Sequence, residues 1–200
     1  MQARIAIVGA SGYTGIELTR LLLAHPRVEL VAAGSDKLAS ERVEDSALRY
    51  VSNAEAAAAT CDVAMLATPA EVSHDLVPKL LTRGVRVVDL SGAYRLRAPE
   101  LYPTFYKFEH KHPALLAEAV YGLPELDRTR IPSAAIVANP GCYATAIQLA
   151  LAPVVQGATG RIIVDAMSGV TGAGRKAAEE YSFAEIANDL RAYRVLTHQH

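Results

Sequence analysis

The chain has 200 residues, of which 51% are hydrophobic and 20% charged, with 13 glycines and 10 prolines. That balance excludes a disordered tail and is enough for one full domain and part of another. The formal net charge of -1, with lysines and arginines scattered, excludes the basic stripe by which proteins neutralise nucleic-acid phosphates.

Residues 4–9 form a strand pattern from the outset, with no basic segment and apolar core ahead of them. No apolar run reaches the roughly 18 residues needed to cross a bilayer, so a cytoplasmic, membrane-free protein is expected. Gly9-Ala10-Ser11-Gly12-Tyr13-Thr14-Gly15 follows at once and opens a helix over 13–24. Glycines there let the backbone turn tightly and approach a pyrophosphate, which the free amides and positive end of the helix stabilise. The Gly-x-x-Gly-x-x-Gly spacing varies the familiar fingerprint, and its strand-turn-helix setting strengthens it. Gly9, Ser11, Gly12, Tyr13, Thr14 and Gly15 are therefore candidate cofactor-binding residues.

A second strand over 28–33 leads to Gly34-Ser35-Asp36-Lys37, where such folds read the adenosine ribose. An acid there favours an unphosphorylated 2'-hydroxyl, whereas Ser35 and Lys37 favour a 2'-phosphate; Asp36 and Lys37 give opposing signals. The alanine-rich stretch 54–59 predicts a short helix by propensity, 62–68 a strand, 71–82 a helix with Val72, Leu76 and Leu80 at helical spacing, and 85–90 a further strand. This alternation predicts a parallel sheet with covering helices.

From Gly92 to Pro132 the pattern weakens and five prolines mark irregular chain, a long aromatic-containing loop of the kind that more often carries function than not. His110-Lys111-His112 could suggest a metal pair, but no cluster of ligand spacing accompanies it, so no metal is expected and it reads as solvated loop. A strand over 134–138 then runs through Asn139-Pro140-Gly141-Cys142 into a helix over 143–155, and 161–166 reads as the opening strand of a new domain. No internal repeat or low-complexity linker interrupts the chain.

The two cysteines, Cys61 and Cys142, are too far apart and too differently set to suggest a disulfide framework. Cys142 stands at a helix start after Pro140-Gly141, a setting that favours the thiolate used in covalent catalysis. Cys61 precedes an apolar strand and reads as a small buried residue.

With these elements placed, 9–18, Asp89-Leu90-Ser91 with Tyr94-Arg95-Leu96, Tyr121-Gly122-Leu123-Pro124-Glu125-Leu126 and Asn139-Pro140-Gly141-Cys142-Tyr143 resemble, in order, the successive signatures of the N-acetyl-gamma-glutamyl-phosphate reductases. Ser168-Gly169-Val170-Thr171-Gly172-Ala173-Gly174-Arg175 is similar to the glycine-rich segment that follows the nucleophile in that family, and His198-Gln199-His200 to the start of its histidine motif. The resemblance covers nearly the whole chain. It implies a Rossmann-like, doubly wound parallel sheet over 1–142 that binds the dinucleotide, followed over 143–200 by the start of a second α/β domain for catalysis and dimerisation.

The same resemblance implies NADPH-dependent reduction of N-acetyl-glutamyl 5-phosphate to the semialdehyde in arginine biosynthesis, through a thioester on Cys142. His200, with His198 as second candidate, is implied as acid/base, and NADP as cofactor. Ser91, Arg95, Asn139, Ser168, Gly169 and Arg175 are implied at the substrate; Arg95 and Arg175 suit a carboxylate or phosphate by paired hydrogen bonds. A small acyl phosphate and a homo-oligomer are the expected partners. Aspartyl- and aminoadipyl-phosphate reduction stay open for the substrate side chain. The segment between Asp36 and Cys61 is shorter than usual in the family, and members continue beyond the position matching His200. A non-catalytic dinucleotide-binding remnant, a subunit completed by another chain, and a zinc module built on the two His-x-His pairs therefore stay open as rivals.

Overall fold

Six short strands rich in Val, Ile, Ala and Leu lie side by side, all parallel, in the order β2-β1-β3-β4-β6-β5. In chain order these elements are β1 (Ala3–Val8), α1 (Tyr13–Leu23), β2 (Val28–Gly34), α2 (Asn53–Ala58), β3 (Val63–Leu66), α3 (Ala70–Thr82), β4 (Arg86–Asp89), α4 (Tyr102–Phe105), α5 (Pro113–Glu118), β5 (Val120–Tyr121), α6 (Pro124–Asp127) and β6 (Ile136–Ala138). The computed structural model describes residues 2–195, and the chain divides into two units, Met1–Gly141 and Cys142–His200. The second unit contains α7 (Cys142–Leu151) and α8 (Phe183–Ile186).

Parallel strands are covered on both faces, so their residues are apolar almost without interruption. Ile7, Val8, Leu66, Val87 and Ile136 are accordingly buried. Each such side chain taken wholly out of water contributes about 1.5–3 kcal/mol. Helix α1 turns Gly15, Thr19 and Leu22, spaced by one helical turn, toward the sheet. Helix α2 begins with a capping box in which Ser52 accepts from the Glu55 amide and Glu55 accepts from the Ser52 amide. Helix α3 contains Pro78, which has no N–H to offer the carbonyl of His74 one turn earlier. The Tyr94 hydroxyl donates to that carbonyl instead, at 3.1 Å, and so ties α3 to the chain after β4.

Two expectations change. The stretch after β4 is not irregular loop throughout: it forms α4, α5, α6 and the edge strand β5, and His110 is buried rather than solvated. His110 packs among the rings of His74, Tyr94, Tyr102 and Phe108, with centroids 4.6–6.2 Å away, because the aromatic residues that look scattered in sequence converge there. Residues 161–166 do not form a strand. A strand needs a neighbour to take its backbone hydrogen bonds, and the described residues of the second unit contain no strand to pair with; Ile163 stays 84% exposed. Among the described residues no helix is long and apolar enough to cross a membrane.

Candidate functional site

In open parallel sheets ligands settle outside the carboxyl ends of the strands where the strand order reverses. Here the order reverses between β1 and β3, since β1 connects outward to β2 and the chain then returns to β3 on its other side. The glycine turn lies at this point. Gly9 has φ +91, and a Cβ there would run into the Ala67 carbonyl at the end of β3. A Cβ at Gly15 would strike Gly9 O and Ala10 Cα, so Gly15 lets α1 sit directly on the turn. Gly12 is different: a Cβ there would meet nothing nearer than Gly9 O at 4.0 Å. Gly12 is also the N-cap of α1, with no side-chain cap and no acidic residue in the first turn. The amides of Tyr13, Thr14 and Gly15 therefore begin a helix that no side chain of its own caps, with open space at Gly12, and this fits a pyrophosphate.

The β2 end is organised around a residue that sequence reasoning did not single out. Asp36 accepts from the Asn53 amide and from Asn53 Nδ2, both at 2.8 Å, and Asn53 Oδ1 accepts from the Gly9 amide at 2.9 Å. Ser52 and Glu55 advertise the start of α2 in sequence, but nothing there shows that Asn53 faces both ligand turns. Ser35 is buried and its hydroxyl accepts from the Leu38 amide at 3.2 Å, so it shapes the turn. Lys37 is exposed beside it.

At the end of β4, Asp89 is wholly buried; Oδ1 accepts from the Ser91 amide at 3.0 Å and Oδ2 has no partner. Burial pushes this carboxyl above the usual range, which favours its neutral form. Ser91 Oγ accepts from the Ala93 amide at 3.1 Å. Arg95, expected at the substrate, donates from Nε to Asn139 O at 2.7 Å and from Nη2 to Leu90 O at 2.8 Å. It thereby staples the ends of β4 and β6. The Asn139 amide in turn donates to Asp89 O at 2.8 Å and its Nδ2 to Pro140 O at 3.1 Å. Gly9 to Gly15, Ser35, Lys37, Ser91, Arg95 and Asn139 are thus gathered along the carboxyl edge of one sheet.

In the second unit Cys142 is exposed and opens the ten-residue helix α7, whereas Cys61 is buried and burial pushes its thiol up. Tyr193, missed in the sequence, hydrogen-bonds Tyr143; that bond first, and then burial, raise its hydroxyl to about 12. Ser168 Oγ donates to Gly169 O at 3.1 Å, and both precede a 3-10 turn over Val170–Ala173, with Arg175 exposed after it. His198 and His200 lie outside the described residues. Among the described residues no group of three or more His, Cys, Asp or Glu could hold a metal ion.

The family model described as semialdehyde dehydrogenase, NAD binding domain, matches residues 4–134, and that described as semialdehyde dehydrogenase, dimerisation domain, matches 142–200. The chain is 45% identical over 208 residues to an N-acetyl-gamma-glutamyl-phosphate reductase of Thiobacillus denitrificans and 43% identical over 207 residues to one of Aquifex aeolicus. Each alignment takes in 98% of this chain and 61% of the relative, so the chain spans about three-fifths of the length of these relatives. Among solved structures, aspartate semialdehyde dehydrogenase II of Vibrio cholerae, complexed with ASA, shares the fold at a TM-score of 0.62 and 19% identity, over 88% of this chain and 49% of that one.

Proposed function

The chain belongs to the semialdehyde dehydrogenase family, and from that premise we propose that it carries the dinucleotide site and the nucleophile for NADP-dependent reduction of N-acetyl-glutamyl 5-phosphate. The observation that carries this reading is the glycine turn at the sheet's switch point, closed to a Cβ at Gly9 and Gly15 and open at Gly12. The substrate is taken from the identity with the reductases over 98% of the chain. NADP rather than NAD is favoured by an Asp36 already bonded to Asn53, with the Lys37 cation exposed next to it.

In the proposed reaction Cys142 Sγ attacks the acyl carbon, the carbon–oxygen bond to phosphate breaks, and inorganic phosphate departs. NADPH, which Gly9 to Gly15 would hold by its pyrophosphate, would supply the one hydride that reduces the thioester carbon. The carbon–sulfur bond then breaks, releasing the semialdehyde and returning the cysteine. His200, or His198, manages the proton, a contribution typically worth ~100- to 10,000-fold. Arg175 takes the role of anion partner, with Ser168 and Gly169 in the same segment. Arg95 and Asn139 fix the backbone leading to Cys142 in the chain, and Ser91 shapes the β4 turn. A domain boundary at 142–143 leaves 143–200 for catalysis and self-association, the second of which the exposed apolar residues of that segment support.

The test follows NADPH formation from N-acetyl-glutamate semialdehyde, NADP and phosphate, beside Cys142→Ser. Turnover that disappears in the substituted chain while NADP still binds supports the thioester route. Turnover on aspartate semialdehyde but not on the N-acetyl-glutamate compound reassigns the substrate. NADP binding without any turnover in the unsubstituted chain favours a non-catalytic binding unit, or one that requires another polypeptide.

A further inference from the structure

We propose that Asn53 sets the preference between phosphorylated and unphosphorylated adenosine ribose, by holding the carboxylate of Asp36 away from it. The inference rests on the dinucleotide reading of the glycine turn and deepens it. In folds of this kind an acid at the end of the second strand accepts from the ribose 2'-hydroxyl, and so selects the unphosphorylated cofactor. Asp36 stands at that place, two residues beyond the last residue of β2. Both of its oxygens are engaged by one residue: Oδ1 by the Asn53 amide and Oδ2 by Asn53 Nδ2, each at 2.8 Å.

A carboxylate has about four acceptor positions, so two bonds do not saturate it. They do fix its direction, toward the start of α2, and bonds to a charged acceptor are roughly twice as strong as neutral ones. For Asp36 Oδ2 to turn to a ribose hydroxyl, the bond from Asn53 Nδ2 must be surrendered. The orientation of the Asn53 amide is itself determined, since Nδ2 faces an acceptor and Oδ1 faces the Gly9 N–H at 2.9 Å. One side chain therefore spans the turn that receives the pyrophosphate and the turn that receives the ribose.

Close packing keeps Asn53 there. A Cβ on Gly34 would meet Ala56 Cβ at 2.7 Å and Asn53 Oδ1 at 3.0 Å, so α2 lies directly against the end of β2. With Asp36 directed toward Asn53, the exposed Lys37 is the charge left to face a 2'-phosphate. Asn53 is accordingly a positioning residue that acts through Asp36.

The full chain is titrated with NADP and with NAD by calorimetry, and the ratio of the NAD to the NADP dissociation constant is compared among variants. Asn53→Ala removes the Nδ2 bond and leaves the backbone N–H on Oδ1, so Oδ2 is released to accept the 2'-hydroxyl and to repel a 2'-phosphate, and the ratio should fall roughly ten-fold, the scale of one charge-assisted hydrogen bond. The double variant Asn53→Ala with Asp36→Ala should return the ratio toward that of the unsubstituted chain. Asn53→Leu, close to Asn in size and without a side-chain donor, should lower the ratio as well and serves if the alanine variant does not fold. An Asn53→Ala variant that weakens both cofactors equally shows a merely structural role and overturns the inference, as does a double variant whose ratio stays low. Failure of the unsubstituted chain to bind either dinucleotide overturns instead the reading on which the inference rests.

Discussion

The two units treat the same kinds of residue in opposite ways. In Met1–Gly141, Ile7, Leu66 and Ile136 are 0% exposed between a sheet and its helices, while in Cys142–His200, Ile163 and Phe183 are each 84% exposed. Composition does not explain the contrast, since the second unit also supplies Ile162, Val164, Met167 and Leu190. What differs is the supply of partners: six strands pair in register in the first unit, whereas 161–166 has no described strand of its own unit beside it. Hydrophobicity drives burial only where other surfaces exist to bury against.

The contrast breaks most directly by truncating one apolar residue in each unit. Leu66→Ala should destabilise the chain by about 2–5 kcal/mol, because β3 is central and the space left cannot collapse fully. Ile163→Ala should change stability by less than about 0.5 kcal/mol. Urea unfolding followed by circular dichroism measures both, and a comparable loss at Ile163 would mean that 161–166 is buried in solution.

Within the first unit, packing and binding separate at two glycines of the same turn. A Cβ at Gly15 collides with backbone, so Gly15→Ala should cost about 1–3 kcal/mol and weaken dinucleotide binding. Gly12→Ala meets open space, so thermal stability should hold while NADP affinity falls. An unchanged NADP affinity in Gly12→Ala would remove the pyrophosphate from that spot.

Acid should act on the first unit in particular. Burial, then the neighbouring His74, lowers His110 to about 4, against 6.5 for a free histidine. The unfolded chain then binds the proton more readily than the folded one, so stability is full above pH 6.5 and declines between about 6.5 and 4. The loss attributable to this group is about 3 kcal/mol. His110→Gln should flatten the decline, as read from urea midpoints across that range. Asp89 works in the opposite sense: its raised carboxyl gives stability that is present at low pH and lost as pH rises. An acid-side slope that survives in His110→Gln would assign the decline elsewhere.

The smallest effect is chemical and marks the units by their thiols. Cys142 is exposed and Cys61 buried, so one equivalent of iodoacetamide per chain should label native protein at Cys142, with Cys61 reacting only after denaturation. Peptide mass mapping distinguishes the two, and native labelling at Cys61 would show that the first unit opens.

Much of the architecture was legible before any tertiary information. Alternating apolar strands and helices over 4–90 announce a parallel sheet, because each period reflects local backbone geometry. The glycine turn and the helix start at Cys142 were legible for the same reason: a positive φ at Gly9 and a strand-to-helix junction at Cys142 are local requirements. Tertiary structure decided what depends on distant partners. It buried His110 among rings drawn from α3 and the chain after β4, spent Arg95 on the carbonyls of Leu90 and Asn139, and withheld strand pairing from 161–166. It also set Asn53 between Asp36 and Gly9, a placement across 17 and 44 residues of chain that no local pattern encodes. A backbone turn answers to its own residues, whereas the partner of a polar or apolar side chain is chosen by how the strands are ordered.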